Sequence, residues 1–349
     1  MKKYFFKKNL FKMNLSWYMF LYNLIFSTII IMNSYSWFNI WMGLEINLMS
    51  FIPLMMNNSK MMKISNSMMI YFLIQVSASS MLLMMIIMMK INTNIIENNM
   101  LMSLIQLSIM MKLGAAPFHW WMPKMISNLT WLNCFIILTW QKIAPLYILL
   151  MTNNNLIIYL ISMMSCLIGA IMGLNQTSIK LILTYSSINH IGWMLMLMML
   201  SMKMLIMYFL IYMLLNFMIC LMMNNNSFNY LNQLMKNNNQ NMNMKIISIS
   251  LFLSLGGMPP MLGFLPKMIT LMIMIKNNLF FELMIFILSA VISLSFYMNP
   301  MMSMFMFLKL NNKWNNKIMM LKNNLMKIML FNLSLMMIII LPNLNELMM

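Results

Sequence analysis

Four charged residues stand inside long apolar runs of this 349-residue chain: Glu45 in WMGLEINLMSF, Lys112 in IMMKLGAAPFHWW, Lys142 in LTWQKIAPL and Lys267 in GGMPPMLGFLPK. A charge near the middle of an apolar helix costs about 2.5–3.5 kcal/mol on insertion scales, so such residues are rare and mark ion or proton paths. Burial disfavours the charged form of a lysine, and a nearby carboxylate favours it. Moving the carboxylate, or wetting the cavity, then loads and unloads a proton. One glutamate and three lysines on separate helices supply the parts of a proton relay. The plainer alternative is that the lysine stems snorkel to an interface. Lys142 is deepest within its run and worst placed for that. Lys112 lies nearer a helix end, and Lys267 follows a Gly/Pro break. Glu45 is central, and its short side chain cannot reach far.

His119 and His190 are the two histidines. Imidazole exchanges protons near neutral pH, so either can join the relay, and either can equally be a hydrogen-bonded packing residue. His119 follows Pro117 at an expected helix break. His190 lies mid-run in YSSINHIGW, where Thr184, Ser186, Ser187 and Asn189 offer polar atoms to a chain of waters. The rest of the catalytic repertoire is missing from the sequence. It has no GxGxxG after a strand, no phosphate-binding loop and no Cys cluster. Two histidines and no aspartate argue against a metal site. Cys134, Cys166 and Cys220 are widely spaced in apolar runs and read as small membrane-core residues without a disulfide framework. Neither a cofactor nor a metal is expected in this chain.

The elements that hold these residues follow from composition. Hydrophobic residues make up 62% of the chain and charged residues 7%, whereas a soluble domain carries about a quarter charged. Apolar runs of helix-spanning length alternate with short breaks rich in Asn and Lys, and a bilayer needs roughly 20 apolar helical residues per crossing. The fold expected is an all-α polytopic membrane protein with about eleven transmembrane helices. Their approximate ranges are 16–32, 37–56, 68–89, 100–118, 131–150, 156–174, 179–200, 202–223, 246–275, 279–298 and 325–341. The run at 246–275 is too long for a simple crossing, and its GGMPPMLGFLP should break the helix in mid-membrane. Unwound backbone is tolerated there only if buried in protein or facing a polar cavity.

Lysine placement orients the chain. With eleven spans, sixteen lysines fall on the amino-terminal side and three (Lys90, Lys203 and Lys276) on the other, which also receives Glu97, Glu282 and Glu346. That asymmetry is the positive-inside bias, and it accounts for a net charge of +18 without nucleic acid, which would need a basic stripe on a soluble face. Met occurs 60 times, a frequency natural where ATA as well as ATG encodes Met, in a small AT-biased mitochondrial genome. The positive side is then the matrix, with the amino terminus facing it and the carboxyl terminus facing the intermembrane space. Residues 1–15 read as a basic leader that orients the first helix. Residues 16–349 read as one transmembrane domain. The Asn-rich stretch 224–245 reads as a plain matrix loop.

Gly/Pro-interrupted helices in corresponding positions of two halves point to inverted repeats. Lys112 precedes GAAP in the fourth span, and Lys267 follows GGMPPMLGF in the ninth. Repeat one would cover about 16–150 and repeat two about 156–298, each of five helices with a broken fourth. The helix at about 325–341 would be an addition.

Six segments in collinear order, WMGLEINLMSFIPL, KLGAAPFHWWMPK, LTWQKIAPL, GLNQTS, YSSINHIGWM and LSLGGMPPMLGFLPK, resemble the antiporter-like membrane subunits of mitochondrial NADH:ubiquinone oxidoreductase, the respiratory complex I. The resemblance runs from about Trp37 to Tyr297. It implies a proton-translocating subunit of the membrane arm in the mitochondrial inner membrane. NADH, flavin, iron–sulfur clusters and ubiquinone would be bound by other subunits. Its partners would be the bilayer and other membrane-arm subunits, neighbouring antiporter-like ones included. By motif, Glu45 corresponds to the family's half-channel glutamate, Lys112 and Lys267 to the lysines of the two broken helices, and Lys142 to the central lysine. The sequence departs from the family at Ile179-Lys180-Leu181, where a basic pair is usual, and at Asn299-Pro300, where an arginine is usual. The rival function is a free-standing cation/proton antiporter. A scaffold using the buried charges as helix glue is a third reading, opposed by the cost of burying four of them.

Overall fold

Apolar side chains all round a helix suit a lipid or protein surround, and in lipid every backbone N–H and C=O must be paired within the segment. The computed structural model meets both demands. It describes residues 15–56, 61–91, 95–152, 155–236, 242–259 and 261–305. All ten expected spans that fall there are helical, and the expected helix at 325–341 lies outside the described residues, as does nearly all of the basic leader.

The helices are α1 (Leu15–Met32), α2 (Trp37–Met55), α3 (Met61–Ile91), α4 (Ile95–Leu113), α5 (Trp121–Ile126), α6 (Trp131–Leu138), α7 (Trp140–Leu150), α8 (Asn155–Gly173), α9 (Ile179–Leu200), α10 (Met202–Asn226), α11 (Leu231–Lys236), α12 (Met242–Gly256), α13 (Phe264–Lys276) and α14 (Phe280–Phe305). Among the described residues, eight helical stretches are long and apolar enough to cross a membrane, with shorter ones at Ser16–Met32 and Ile247–Gly256. Hydroxyls inside the helices are satisfied locally: Ser27 donates to the Leu24 carbonyl at 2.8 Å, Ser67 to Ile64 at 2.7 Å and Ser108 to Ile105 at 2.7 Å. Each of these serines thus spends its hydroxyl proton on its own helix.

The chain divides into two compact units at Ile157/Ile158. In the first, α2 packs between α1 and α3, α3 also meets α4 and α5, and α7 packs against α4 and α1. In the second, α9 contacts α10, α13 and α14, while α12 packs on α10 and α14. Of the α9 window, 83% is buried, against 28% for α14. Helix α9 is thus the interior post of its unit. Small residues let α8 approach it closely, as in other membrane helix pairs. A Cβ added at Gly192 would lie 2.6 Å from Ser165 Oγ and 2.7 Å from the Ser162 carbonyl, and one at Gly169 would lie 2.6 Å from Asn189 N.

Three of the spans are broken. The fourth ends as a helix at Leu113, short of the expected 118, and restarts through a 3-10 turn at Phe118–Trp120 into α5. The cause is Gly114, at φ +69°. Its N–H donates to the Met111 carbonyl at 3.2 Å and that of Ala115 to Met110 at 3.2 Å, the Schellman pairing that ends helices. The ninth span breaks the same way. Gly257 has φ +83°, its N–H donates to Ser254 at 3.2 Å, and Met258 donates to Leu253 at 3.3 Å. The break in the fifth span, at Thr139, was not expected. Here the Thr139 hydroxyl donates to the Phe135 carbonyl at 2.7 Å and the backbone turns to φ −122°, ψ −71°, consistent with the bending that such back-bonded threonines cause. Within the Asn-rich loop, the short α11 and a bridge between Ser178 and Tyr230 add order that composition did not announce.

Candidate proton-transfer sites in the two units

The first unit gathers its charges at the end of the broken helix α4. Lys112 occupies that helix's last turn and is 7% exposed; Lys142, three residues past the Thr139 break in α7, is 1% exposed. Both lysines line one small cavity of about 20 Å³, together with Asn47, Tyr71, Gln75 and Gln141 among other residues. A void of that size admits about one water molecule. Two lysines that their sequence positions hold thirty residues apart therefore border the same water-sized void.

The framework around the cavity answers the backbone's needs as well as the lysines'. A helix end leaves carbonyls without intrahelical partners, and in the membrane no bulk water replaces them. Gln75 Nε2 donates to the Lys112 carbonyl at 3.3 Å, and Trp121 Nε1 donates to that of Met111 at 3.2 Å. Across the cavity, Gln141 Nε2 donates to Asn47 Oδ1 at 3.0 Å, tying α7 to α2. Two residues before Asn47, Glu45 is half-buried and near enough to interact electrostatically with Lys112. The negative end of the α4 dipole also favours a cation in its last turn.

In the second unit, Lys267 is 4% exposed and reaches back from the start of α13 to the end of α12. Its Nζ donates to the Gly256 carbonyl at 2.9 Å and lies 5.9 Å from the centroid of the Trp193 ring. A hydrogen bond to a charged group contributes about 1.5–3 kcal/mol, the C-terminal end of a helix up to ~2 kcal/mol and an aromatic face about 0.5–2 kcal/mol. Together these match the insertion cost of a central charge, about 2.5–3.5 kcal/mol. The break at Gly257 is what exposes the carbonyl, and a Cβ at that glycine would sit 3.0 Å from Lys267 Cδ.

His190 is 6% exposed on α9, with its Nδ1 2.7 Å from the Tyr208 hydroxyl of α10. His119 stands in the 3-10 turn, half-buried, and is not among the residues lining the first cavity. The geometry thus puts Lys112 and Lys142 on one cavity, sets Glu45 near Lys112, gives Lys267 and His190 their own partners and leaves His119 off that cavity. The sequence reading passed over Asn47, Tyr71, Gln75, Gln141 and Tyr208. The amides had a signal: each is a polar residue in an otherwise apolar run, Asn47 two positions after Glu45 and Gln141 adjacent to Lys142.

Comparison with known proteins gives this arrangement its family. Residues 34–293 match the family model described as NADH:quinone oxidoreductase/Mrp antiporter, transmembrane. NADH-ubiquinone oxidoreductase chain 2 of Anopheles gambiae is 45% identical over 309 residues, covering 87% of this chain and 89% of that one. The protein of the same name from Locusta migratoria is 39% identical over 309 residues, covering 87% and 90%. A chain of respiratory complex I from Thermus thermophilus, solved with bound aureothin, superposes with a TM-score of 0.77 at 18% identity, over 83% of this chain and 71% of that one. This likeness is one of fold. Matched over most of its length by both the family model and these relatives, the chain belongs to the NADH:quinone oxidoreductase/Mrp antiporter transmembrane family and, within it, to the chain 2 subunits of NADH-ubiquinone oxidoreductase.

Proposed function

We propose that this chain moves protons across the mitochondrial inner membrane as an antiporter-like subunit of the membrane arm of NADH:ubiquinone oxidoreductase, driven by NADH oxidation and quinone reduction in other subunits. The observation that carries the reading is the shared cavity of Lys112 and Lys142 at the end of a broken helix, with Glu45 alongside. Both lysines border one water-sized void, and a water held there supplies a route for a proton between them. Glu45 interacts electrostatically with Lys112, and a change in the charge or position of Glu45 passes the proton on. Lys267, held between a helix end and an aromatic face, is the proton carrier of the second unit.

This reading assigns no redox step to the chain. NADH, flavin, iron–sulfur clusters and ubiquinone belong to other subunits, and neighbouring antiporter-like subunits are its partners in the membrane arm. The lysine asymmetry of sixteen to three supports an amino terminus in the matrix and a carboxyl terminus in the intermembrane space. The test uses the assembled complex reconstituted in vesicles, with Glu45→Gln or Lys112→Met in this chain. Both variants are expected to move fewer protons per NADH oxidised. Normal pumping in both would show that these residues do not carry the relay.

A further inference from the structure

At one end of the first unit, a second cavity stands apart from the one that the lysines share. The α1–α2 turn, the last turn of α3 and the start of α4 border a cleft of about 500 Å³, a size within the range of small-molecule sites. Tyr35, Trp37 and Phe38 line it from the turn, and Met89, Lys90 and Asn99 line it from α3 and α4. Tyr35, Phe38, Lys90 and Asn99 are all exposed, so the cleft opens outward. Among the described residues no carboxylate lines it. Lys90 is also one of only three lysines that the eleven-span count leaves on the side away from the amino terminus. The charge bias that orients the chain therefore does not explain it. The dipole of α3 favours a cation in its last turn, but it asks for no cavity beside that cation. Depth along the helix is more telling. Lys90 lies fourteen residues beyond the middle of the 31-residue α3, about 21 Å along its axis. Half a bilayer, headgroups included, is about 20–22 Å. With α3 centred, Lys90 stands at the level of the lipid phosphates, the level that tyrosine and tryptophan also favour.

We propose that this cleft binds the headgroup of an anionic glycerophospholipid. The Lys90 ammonium donates to the lipid phosphate, a charge-assisted contact of the kind that basic pockets between membrane helices make with headgroups. The aromatic rings of the α1–α2 turn present apolar bodies with polar tips, which suits the glycerol and ester region of a lipid. The acyl chains leave through the open side into the bilayer. A lining with one cation and no carboxylate favours a lipid of net negative charge. The ammonium of a zwitterionic lipid would find no counter-ion on the walls.

The test uses the purified, assembled complex and two photoreactive lipids, a phosphatidylglycerol and a phosphatidylcholine. Both carry the same diazirine near the glycerol, and labelled peptides are mapped by mass spectrometry. Phosphatidylglycerol should label residues 35–38 and 86–90 of this chain. Phosphatidylcholine should label them about fivefold less, the change that one lysine at an anionic lipid surface gives. Lys90→Gln should remove this preference, and Lys90→Arg should keep it. Equal labelling by the two lipids in the unaltered complex would overturn the proposal, whether or not the variants assemble. An unchanged preference in Lys90→Gln would do the same. Labelling of these residues by neither lipid would mean that a protein neighbour covers the cleft. Displacement of the phosphatidylglycerol label by millimolar inorganic phosphate would make it a site for a free anion. Both results would refute the lipid assignment. The nearest carboxylate along the chain is Glu97. A preference for phosphatidylglycerol that emerged only in Glu97→Gln would assign Lys90 to that carboxylate and end the proposal.

Discussion

Replacing Lys267 with methionine distinguishes a proton carrier from a charge that merely joins helices. In the native arrangement, the ammonium donates to the Gly256 carbonyl at 2.9 Å, faces the Trp193 ring and is 4% exposed. Methionine fills nearly the same volume, so the cavity contribution is small. The Gly256 carbonyl loses a partner, which costs about 1–3 kcal/mol. Removing a central charge from the membrane returns about 2.5–3.5 kcal/mol. With the lost helix-end and aromatic contacts included, these opposing contributions nearly cancel, so the complex should assemble with a thermal midpoint close to the unaltered one. Proton transfer through the second unit, however, should stop. The assay pairs the thermal loss of the assembled band on native gels with protons moved per NADH in vesicles. If Lys267 were helix glue, losing its bond to the Gly256 carbonyl would separate α12 from α13, and assembly would fall with pumping. Normal pumping in a well-assembled variant would refute the argument outright.

Two further substitutions probe the breaks that position the lysines. A Cβ at Gly263 would overlap the Ser254 carbonyl, a backbone atom that cannot move aside, so Gly263→Ala should abolish assembly of the complex on native gels. Normal assembly would mean that α12 and α13 can separate at this point without loss. Gln75→Leu removes the donor to the Lys112 carbonyl at 3.3 Å and should cost about 1–3 kcal/mol. A lowered thermal midpoint of the assembled complex checks this, and an unchanged midpoint would mean that the carbonyl has a second partner.

Much of the site was legible in the sequence because membrane insertion makes charge expensive. Against apolar runs, Glu45, Lys112, Lys142 and Lys267 stand out one by one, and each lysine is buried in the structure. The spans were legible for a related reason. In lipid the backbone must satisfy itself, so an apolar run of sufficient length has helix as its available form. The glycines at 114 and 257 announced breaks, and both take up the positive φ that ends a helix. The Thr139 break gave no such notice, because a threonine bends a helix only when its hydroxyl turns back to a carbonyl.

Helix existence and the places of the charged candidates depend on local composition, and the sequence by itself determined them. Which candidates meet was decided only by the tertiary structure. Lys112 and Lys142 share a cavity, with amides from α2, α3 and α7 around it, because of the way those helices rotate and approach one another. His190 was ambiguous between proton exchange and packing, and its partner Tyr208 is eighteen residues away on another helix. Side-chain chemistry is written along the chain. Distances between helices arise from packing small residues such as Gly169 and Gly192 against neighbouring backbone, and no window of sequence contains both sides of that contact.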